Sequence, residues 1–359
     1  MEVYKADIGK PQYKNLLGDD IDWKNGVLIR STNWLGDACM TVPAVYKIKQ
    51  LLPDNVDLYI LAPQNLKSFW ESFPWVKEVM PMSAKRVDSD LADKIIKLGC
   101  GVAVTLPNSF GSAIDIAFKE IPVRVGRKGR FRSFMLTHKL PKWKRVAGKD
   151  KHHQLREYLQ LASACGADSW DDSYEPAAPQ ISLDHLRELG FDSDSSWLAL
   201  APGAKFGPAK QWPIEYYGEV AKKWLTKGKK VIVIGTPDEI SVAEEVCKIA
   251  GGGLNLAGKT NLQELMYILG KVDVAVVNDS GGMHLTAAMG GKGVAIFGST
   301  DPRATGPLGG KWHVIWNRIE CSPCLKKTCE APGKDYDCLK GIKPERVLSA
   351  LEELIKDEG

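Results

Sequence analysis

The chain has 359 residues, of which 44% are hydrophobic and 26% charged, and its formal net charge is +4. This composition is typical of a soluble globular protein, and the length exceeds one ordinary hydrophobic core, so we expect two domains. No stretch approaches the roughly 18 uninterrupted apolar residues of a membrane span, and the N-terminus lacks the layout of a signal peptide. The sequence therefore predicts a cytoplasmic protein.

The N-terminal half alternates short apolar segments with helix-period patterns. Because this alternation is typical of a parallel sheet covered by helices, residues 26–180 are predicted to form a Rossmann-like domain. The predicted strands are Val27–Thr32, Val56–Ala62, Val76–Met80 and Gly101–Leu106. The predicted helices lie near Asp37–Leu52, Leu66–Phe73, Leu91–Leu98, Ser112–Lys119 and His152–Cys165. The polar, acidic stretch Ser169–Pro179 is the predicted linker, and residues 1–25 are an N-terminal extension without an assigned role.

The C-terminal half repeats the pattern, so residues 181–343 are predicted to form a second Rossmann-like domain, followed by a C-terminal helix over 344–359. The predicted strands are Trp197–Ala201, Lys230–Gly235, Val272–Asn278 and Val294–Gly298. The predicted helices lie near Ile214–Lys227, Asp238–Ala250, Leu262–Gly270 and Gly282–Met289. The predicted fold class is α/β with two doubly wound sheets. Ligands bind at the carboxyl ends of such strands, which we expect to face a central crevice.

A glycine-rich turn follows the predicted strand that ends at Asn278. The first backbone N–H groups of a helix have no intrahelical partner, so they can bind a phosphate, and glycine lets the anion come close. The groups concerned belong to Ser280, Gly281 and Gly282. His284 lies about one turn further on, where it can reach the same anion. An ordinary turn capped by Asp279 or Ser280 is the alternative.

A second loop, Ala201–Pro213, also follows a predicted strand and precedes a helix. It carries Lys205 and Lys210 among glycines and prolines, and Pro213 marks the start of the helix. An isolated loop lysine is often only solvated. Two loops at the carboxyl edge of one sheet, however, place these ammonium groups where a diphosphate bound at the neighbouring turn would meet them.

A third loop at the same predicted edge carries two acids, Asp238 and Glu239. A carboxylate in this position can accept the hydroxyls of a ribose, although it can also simply favour a helix N-terminus. A dinucleotide site would require G-x-G-x-x-G directly after a strand. This pattern does not occur in the right place, which argues against an oxidoreductase.

In the N-terminal half, the strand Val27–Thr32 leads to Asp37 at the start of the first predicted helix. An Asp at this position is often only the N-cap of the helix. The helix dipole also keeps such a carboxylate ionised, and at a crevice it can take a proton from a hydroxyl nucleophile. Both interpretations remain open at this point.

A stretch of nine cations without an acid extends from Arg124 to Arg145, interleaved with apolar residues such as Phe131, Phe134 and Trp143. A solvated basic loop is the simplest interpretation. The mixture of cations and apolar side chains also fits anionic lipid headgroups and, less well, single-stranded nucleic acid. We therefore predict a patch that contacts the cytoplasmic face of a membrane. Its members are Arg124, Arg127, Lys128, Arg130 and Arg132.

Four of the eight cysteines are close together in the tail 321–338, and the other four are scattered. The four are Cys321, Cys324, Cys329 and Cys338. C-x-x-C with two further cysteines has a spacing compatible with a structural zinc site. Disulfides are disfavoured in a cytosolic chain, but a redox-labile pair and four plain thiols are alternatives.

Two D-x-D triplets raise the question of a catalytic metal. Asp88–Asp90 looks like the start of a helix and Asp192–Asp194 like part of a linker, and neither follows a buried strand at the predicted crevice. We therefore predict no catalytic metal.

From about Val27 to the terminal helix, the chain resembles glycosyltransferase family 9, and within it the ADP-heptose:lipopolysaccharide heptosyltransferases of the heptosyltransferase II type. The segments that carry the resemblance are Trp34–Asp37, Pro202–Ala204, Gly207–Pro213, Asn255–Gly258 and Asn278–His284. Together they are specific, although any one of them would be weak. Some family members carry a similar cysteine tail. The stretch before Val27 departs from the usual family start.

The resemblance implies a GT-B fold, in which the N-terminal domain binds the acceptor and the C-terminal domain binds the nucleotide sugar. It implies inverting transfer of heptose from ADP-heptose to a lipid A–Kdo–heptose acceptor, without a required metal. The enzyme would act from the cytoplasm, peripheral to the inner membrane, with no nucleic-acid partner.

The resemblance also implies roles for single residues. Asp37 matches the general base, and Lys210 matches the lysine that neutralises the diphosphate. Glu239 and Thr260 fall near the nucleoside contacts of the family. The donor-binding turn is matched by Asp279, Ser280, Gly281 and His284.

Other functions remain open at the level of the sequence. The most similar alternatives are heptosyltransferase I and family 9 enzymes that use another sugar, since no residue in the turns indicates which sugar is bound. A sugar-nucleotide epimerase of similar shape is a further alternative, and a nucleic-acid-binding scaffold built on the basic stretch is a third.

Overall fold

The computed structural model describes residues 2–18, 21–83, 86–118, 120–142 and 152–356. The chain divides into two compact units, which we call the N unit, Asp7–Ala178, and the C unit, Met1–Ala6 with Pro179–Gly359. Each unit contains one six-stranded sheet whose strands all run parallel, with helices between them. The predicted α/β class with two doubly wound sheets is confirmed.

The sheet of the N unit has the order β3-β2-β1-β4-β5-β6. Its strands are β1 (Gly26–Arg30), β2 (Asp57–Pro63), β3 (Glu78–Met82), β4 (Val102–Thr105), β5 (Val123–Arg127) and β6 (His138–Leu140). Its helices are α1 (Leu35–Lys49), α2 (Lys67–Glu71), α3 (Ser89–Lys97), α4 (Phe110–Ile114) and α5 (Leu155–Ala164). The chain order reverses between β1 and β4, which is the position where doubly wound sheets bind ligands.

Local sequence explains several of these elements. Every residue of β1 and of β4 is buried, as expected for central strands covered on both faces. Asp88 caps α3 by accepting a hydrogen bond from the Leu91 amide over 2.9 Å, so the first D-x-D triplet is a helix start as predicted.

Strands β5 and β6 were not predicted, because the basic stretch was interpreted as a loop. Val125 of β5 is fully buried between Arg124 and Gly126, and it pairs in parallel with Val104 of β4 and with His138 of β6. A short strand near the edge of a sheet needs only one buried face, so its apolar signal is weak.

The sheet of the C unit has the order β12-β11-β10-β7-β8-β9. Its strands are β7 (Trp197–Ala201), β8 (Lys230–Val233), β9 (Leu254–Asn255), β10 (Val274–Asn278), β11 (Gly293–Phe297) and β12 (Trp312–Trp316). Its helices are α6 (Asp184–Glu188), α7 (Ile214–Leu225), α8 (Ile240–Ala250), α9 (Leu262–Lys271), α10 (Gly281–Ala288), α11 (Pro302–Thr305), α12 (Asp337–Lys340) and α13 (Pro344–Lys356). The order reverses between β7 and β10.

Capping and amphipathicity shape the helices of the C unit. Asn261 and Glu264 form a reciprocal capping box at the start of α9, with bonds of 3.0 Å and 2.9 Å. Helix α13 buries Val347, Leu351 and Leu354 on one face, and these join the core beneath α7. No described helix combines the length and the apolar character needed to cross a bilayer.

The N-terminal extension is shared between the units. The Tyr4 amide donates to the Trp312 carbonyl over 2.7 Å in the C unit, and the Tyr4 hydroxyl donates to the Pro302 carbonyl, also over 2.7 Å. The amides of Asn15 and Leu16 donate over 2.8 Å to carbonyls at the end of α5 in the N unit. The extension is thus a packed part of the fold.

Candidate donor and catalytic site

The loops after β7 and β10 lie side by side at the carboxyl edge of the C unit. The two strands are hydrogen-bonded neighbours, with Ala201 paired to Val277, and the chain order reverses between them. The topology therefore brings the lysine-bearing loop and the glycine-rich turn to the same edge, where an open α/β sheet binds ligands.

Lys210 and Asp279 meet at this edge as an ion pair. The Lys210 Nζ lies 2.5 Å from the Asp279 Oδ2, and the side chains are 15% and 3% exposed. The Thr300 hydroxyl donates to the same carboxylate oxygen over 2.5 Å. The lysine ammonium also lies 5.0 Å from the centre of the Phe206 ring. These contacts hold the ammonium at the turn, where it can meet a second anion.

Helix α10 presents its N-terminus at the same place. Ser280 is the N-cap residue and makes no side-chain cap hydrogen bond, so the first amides of α10 keep their donors available. A Cβ built on Gly281 would contact no atom within 4 Å, so the space in front of that residue is open. The alternative of an ordinary side-chain-capped turn is not what the structure has.

His284 lies in the first turn of α10 and is buried. Burial is the main cause that lowers its pKa to about 4; the Lys210 ammonium also lowers it, and Asp279 acts in the opposite direction. The imidazole is therefore neutral at pH 7. A neutral ring can donate one hydrogen bond to a phosphate oxygen without bringing a charge of its own.

Asn278, the last residue of β10, holds the two loops together. Its Oδ1 accepts from the Trp212 amide over 3.1 Å and from the Tyr217 hydroxyl over 3.0 Å. Its Nδ2 donates to the carbonyls of Pro202 and Gly203 over 2.7 Å and 3.3 Å. The side chain is fully buried, so all of its hydrogen-bonding capacity goes into this brace.

The structure reveals residues that the sequence patterns did not point out. The bracing role of Asn278 and the bond from Thr300 depend on contacts between distant parts of the chain. One signal was present for Thr300: it comes shortly after β11, at the same edge of the sheet as the donor turn.

The expected nucleoside contacts follow the next strands along the sheet. Glu239 accepts from the Thr236 amide through Oε2 over 2.8 Å, and a Cβ on Gly203 would lie 1.8 Å from its Oε1, so the carboxylate abuts the loop after β7. Thr260 is half-buried just before the N-cap of α9. Lys205 is exposed on its loop and makes no described ion pair.

Asp37 lies in the first turn of α1, after the central strand of the N unit. The N-cap is Trp34 and makes no side-chain cap bond, so Asp37 is not the N-cap. Burial raises the pKa of Asp37, whereas a 3.5 Å bond from the Gln154 amide group favours the charged form. No cation is paired with this carboxylate among the described residues. Such a carboxylate is a stronger proton acceptor than an ordinary Asp.

Two members of the predicted basic patch are buried, and their prediction as exposed cations is wrong. Arg127 is 2% exposed and donates to the Glu157 carbonyl over 2.7 Å. Arg132 is 1% exposed, donates to the Pro107 carbonyl over 3.0 Å, and has its pKa lowered by burial to about 10. Burial is tolerated because backbone carbonyls satisfy part of each guanidinium.

The remaining patch residues divide into two kinds. Arg124 is half-buried and donates to the carbonyls of Met135 and Ile121 over 2.8 Å and 2.6 Å. Lys128 and Arg130 are exposed. Trp143, Lys144 and Arg145 lie outside the described residues.

The four clustered cysteines line one cavity of about 240 Å³, which also borders Ala209 and Ser299. Burial, together with Cys321, Cys324 and Cys329, raises the pKa of Cys338 to about 11. All eight cysteines are free thiols. In the part of the chain that is described, no three His, Cys, Asp or Glu side chains are already arranged to hold a metal ion.

Comparison with known proteins agrees with this geometry. The chain is 29% identical over 354 residues to lipopolysaccharide heptosyltransferase 2 of Salmonella typhimurium, covering 93% of this chain and 99% of that protein. It is also 29% identical over 349 residues to lipooligosaccharide heptosyltransferase 2 of Haemophilus influenzae, covering 92% and 99%.

The solved structure of Escherichia coli ADP-heptose lps heptosyltransferase II superposes with a TM-score of 0.73 at 28% identity, covering 93% of this chain and 99% of that one. The fold class expected from the sequence, GT-B, is the one these proteins share. Residues 94–334 match the model of glycosyltransferase family 9 (heptosyltransferase). This match covers well over half of the chain. The chain therefore belongs to glycosyltransferase family 9.

Proposed function

We propose that this glycosyltransferase transfers heptose from ADP-heptose to a heptose-bearing lipid A–Kdo acceptor of the lipopolysaccharide inner core. The observation that carries the proposal is the Lys210–Asp279 pair beside the N-terminus of α10, at the switch point of the C unit. The names of the similar proteins supply ADP-heptose and lipopolysaccharide, and the family resemblance supplies the heptose-bearing lipid A–Kdo acceptor, because the geometry of the turn indicates only a diphosphate.

The donor diphosphate would bind across the two loops. The amides at the start of α10 and the neutral His284 donate hydrogen bonds to its oxygens, and Lys210 supplies a positive charge. As the bond to the sugar breaks, negative charge grows on the leaving ADP, and these groups stabilise it. Without these groups, a bound metal ion would have to stabilise the negative charge on the leaving ADP. By analogy with oxyanion donors, the stabilisation is worth roughly 3–4 kcal/mol.

The nucleoside would lie along the same edge, toward β8 and β9. The Glu239 carboxylate, held beside Gly203, can accept the ribose hydroxyls. Thr260 offers a hydroxyl nearby, and exposed Lys205 adds a second positive charge on the loop after β7.

Asp37 is the proposed general base. It takes the proton from the acceptor hydroxyl, which attacks the anomeric carbon of the heptose while ADP leaves, so the configuration at that carbon inverts. The support is its half-buried position at the β1–β4 switch point and the raised pKa that burial produces.

The decisive experiment is an ADP-release assay with ADP-heptose and a lipid A–Kdo–heptose acceptor. We expect release only when both substrates are present, and loss of transfer with retained ADP binding for Asp37→Ala. Asp57→Ala is the matched control, because Asp57 lies at the amino end of β2 and pairs with Lys77. A near wild-type rate for Asp37→Ala would rule out the base assignment.

The same assay separates the rival functions. Transfer to lipid A–Kdo without heptose would indicate heptosyltransferase I, and release with another nucleotide sugar would indicate a different family 9 enzyme. Turnover of the nucleotide sugar without an acceptor would indicate an epimerase. Steeply salt-dependent nucleic-acid binding without ADP release would indicate a scaffold.

We further propose that the enzyme works in the cytoplasm, on the inner face of the inner membrane. Three connections at the carboxyl edge of the N unit follow the adjacent strands β1, β4 and β5, and each carries an exposed aromatic ring; Phe110 is the first residue of α4. The exposed fractions are 69% for Trp34, 42% for Phe110, 68% for Phe131 and 75% for Phe134. Exposed rings beside exposed Lys128 and Arg130 suit an anionic lipid surface.

Buried arginines hold these loops in place. Arg30 on β1 pairs with Asp115 after α4 over 2.9 Å, and Arg132 in the loop after β5 donates to Pro107 in the loop after β4. Arg132, which the sequence suggested as a lipid contact, thus serves to position the rings that would contact lipid.

A further inference from the structure

A segment with little internal structure borders the donor site. Residues 317–336, between β12 and α12, form no helix and no strand, and all of them are described. No residue in this range is fully buried, and Leu325 is 62% exposed. Burial normally offsets the entropy lost when a chain is ordered, so this segment lacks the usual source of stability.

The segment nevertheless makes specific contacts with the catalytic loop. The Ala209 amide, next to Lys210, donates to the Lys327 carbonyl over 3.0 Å. Gly207 approaches the same carbonyl so closely that a Cβ on it would lie 2.6 Å away, and its φ of +144° favours glycine. The segment thus forms the wall against which the Lys210 loop rests.

Further contacts tie the segment to the end of β11. The Leu325 amide donates to the Ser299 carbonyl over 2.7 Å, and the Ser322 hydroxyl donates to the Gly298 carbonyl over 2.6 Å. Ser299 immediately precedes Thr300, which bonds to Asp279. Both partners of the Lys210–Asp279 pair are therefore linked to the cysteine-bearing segment.

The four thiols all face one space. Cys321, Cys324, Cys329 and Cys338 line the same cavity, in the spacing C-x2-C-x4-C-x8-C. Rotation about the single χ1 of each side chain changes the direction of its sulfur. Three of these cysteines lie on the segment and Cys338 lies on α12. Four thiolates are the ligand set of a tetrahedral structural site for zinc or for a single iron.

We propose that these four cysteines bind one thiophilic metal ion, and that the ion holds the segment 317–336 against the Lys210 loop. Binding a divalent ion releases four thiol protons and leaves a net charge of −2 at the site. Lys326 and Lys334 also line the cavity, where they pair with Glu330 and Asp337. The ion cross-links the segment and supplies the stability that burial does not. The link to donor binding rests on the proposed function, whereas the metal site does not.

The first test is the metal content of the purified enzyme, measured by elemental mass spectrometry. We expect one zinc or iron ion per chain, with the element decided by the same measurement. Cys324→Ser and Cys329→Ser should lose it, whereas Cys247→Ser, on α8 outside the cavity, should retain it. Wild-type protein without metal, with four alkylatable thiols or with disulfides at these positions, would overturn the site.

The second test asks whether the ion supports the Lys210 loop. Removal of the ion from the wild-type enzyme by a chelator should speed hydrogen exchange in peptides covering 205–211 and weaken ADP binding about tenfold. This test uses the wild-type chain, so its result does not depend on whether the cysteine variants fold. Unchanged exchange over 205–211 in metal-free enzyme would overturn the structural link, and failure of heptose transfer alone would leave the site intact.

Discussion

Among single residues, Lys210 has two roles that use the same positive charge. Its ammonium neutralises the nearly buried Asp279, and it is also the charge proposed to receive the diphosphate. Asp279 keeps the ammonium at the turn, and Thr300 keeps Asp279 in place. A bound diphosphate would therefore share a lysine whose position is already set, which reduces the ordering cost of binding.

Replacing Lys210 with Met should separate these two roles. The variant leaves the Asp279 carboxylate without its cation, and we expect it to lower the free energy of unfolding by about 3 kcal/mol. It should also lower kcat about 100-fold through the lost stabilisation of ADP. The double variant Lys210→Met/Asp279→Asn should recover most of the stability but none of the activity. Urea unfolding and ADP release measure the two effects, and recovery of both together would contradict the assignment.

His284 predicts how stability depends on pH. Its pKa is about 4 in the folded state and close to 6.5 when unfolded, so between these values the unfolded state binds more protons. The stability that depends on the neutral ring is complete above pH 6.5 and is lost as pH falls. From pH 7.5 to pH 5 we expect this residue to cost about 2 kcal/mol.

The measurement compares urea unfolding of wild type and His284→Asn across this pH range. The free energy of unfolding of the variant should depend less on pH. The difference between the two proteins at each pH should give the contribution of His284 to that free energy. Equal slopes for both would mean that the imidazole is not held neutral by burial.

At the scale of secondary-structure elements, the proposed donor site depends on a junction between β7, β10 and α7. Asn278 at the end of β10 bonds to the loop that leaves β7 and to Tyr217 on α7. The loop that carries Lys210 has no regular structure over most of its length, so this brace and the cysteine-bearing segment define its path.

Asn278→Leu should destabilise the C unit and loosen this loop. The change leaves the Trp212 amide and the Pro202 carbonyl without their partner, so we expect a loss on the order of 3 kcal/mol in the free energy of unfolding. Tyr217→Phe removes one bond to the same side chain, together with a longer 3.3 Å contact of the hydroxyl with the Ala201 carbonyl, and should cost only about 1 kcal/mol. Thermal unfolding of both variants tests the comparison, and equal losses would contradict a bracing role.

Sequence patterns located most central elements but missed those at the margins. Strands β1, β4, β7 and β10 were predicted because they are continuous apolar runs, buried on both faces. β5, β6, β9 and β12 were missed, although β12 is mostly apolar. β5 and β6 carry polar residues at several positions and β9 has only two residues, so their apolar signal is weak. The same weak signal led to the interpretation of Arg127 and Arg132 as exposed.

At the scale of the whole molecule, each unit provides one part of the proposed reaction. The C unit carries the proposed donor site, and the N unit carries Asp37, the proposed base, together with the exposed rings of the carboxyl edge. The predicted nucleoside, acceptor and membrane contacts follow from this division and remain proposals. The membrane contact can be tested without turnover.

Phe131→Ser/Phe134→Ser should weaken binding of the enzyme to vesicles of anionic phospholipid at least about tenfold, since burial of each ring contributes apolar free energy. Arg130→Ala should also weaken it, more strongly at low salt than at high salt. Co-sedimentation with vesicles measures both effects. Ile240→Ser removes an exposed apolar side chain from the C unit and is the matched control. Equal binding by all variants would rule out this edge as the lipid contact.

The sequence by itself determined the α/β class, the glycine-rich turn and the pairing of two loops at one sheet edge. These features are local, or follow from the rule that parallel strands present their carboxyl ends together. Only the tertiary structure decided that Lys210 pairs with Asp279, that His284 is buried, and that two arginines of the basic stretch face inward. Burial and ion pairing depend on residues far apart in the chain, and no short pattern records which of them will meet.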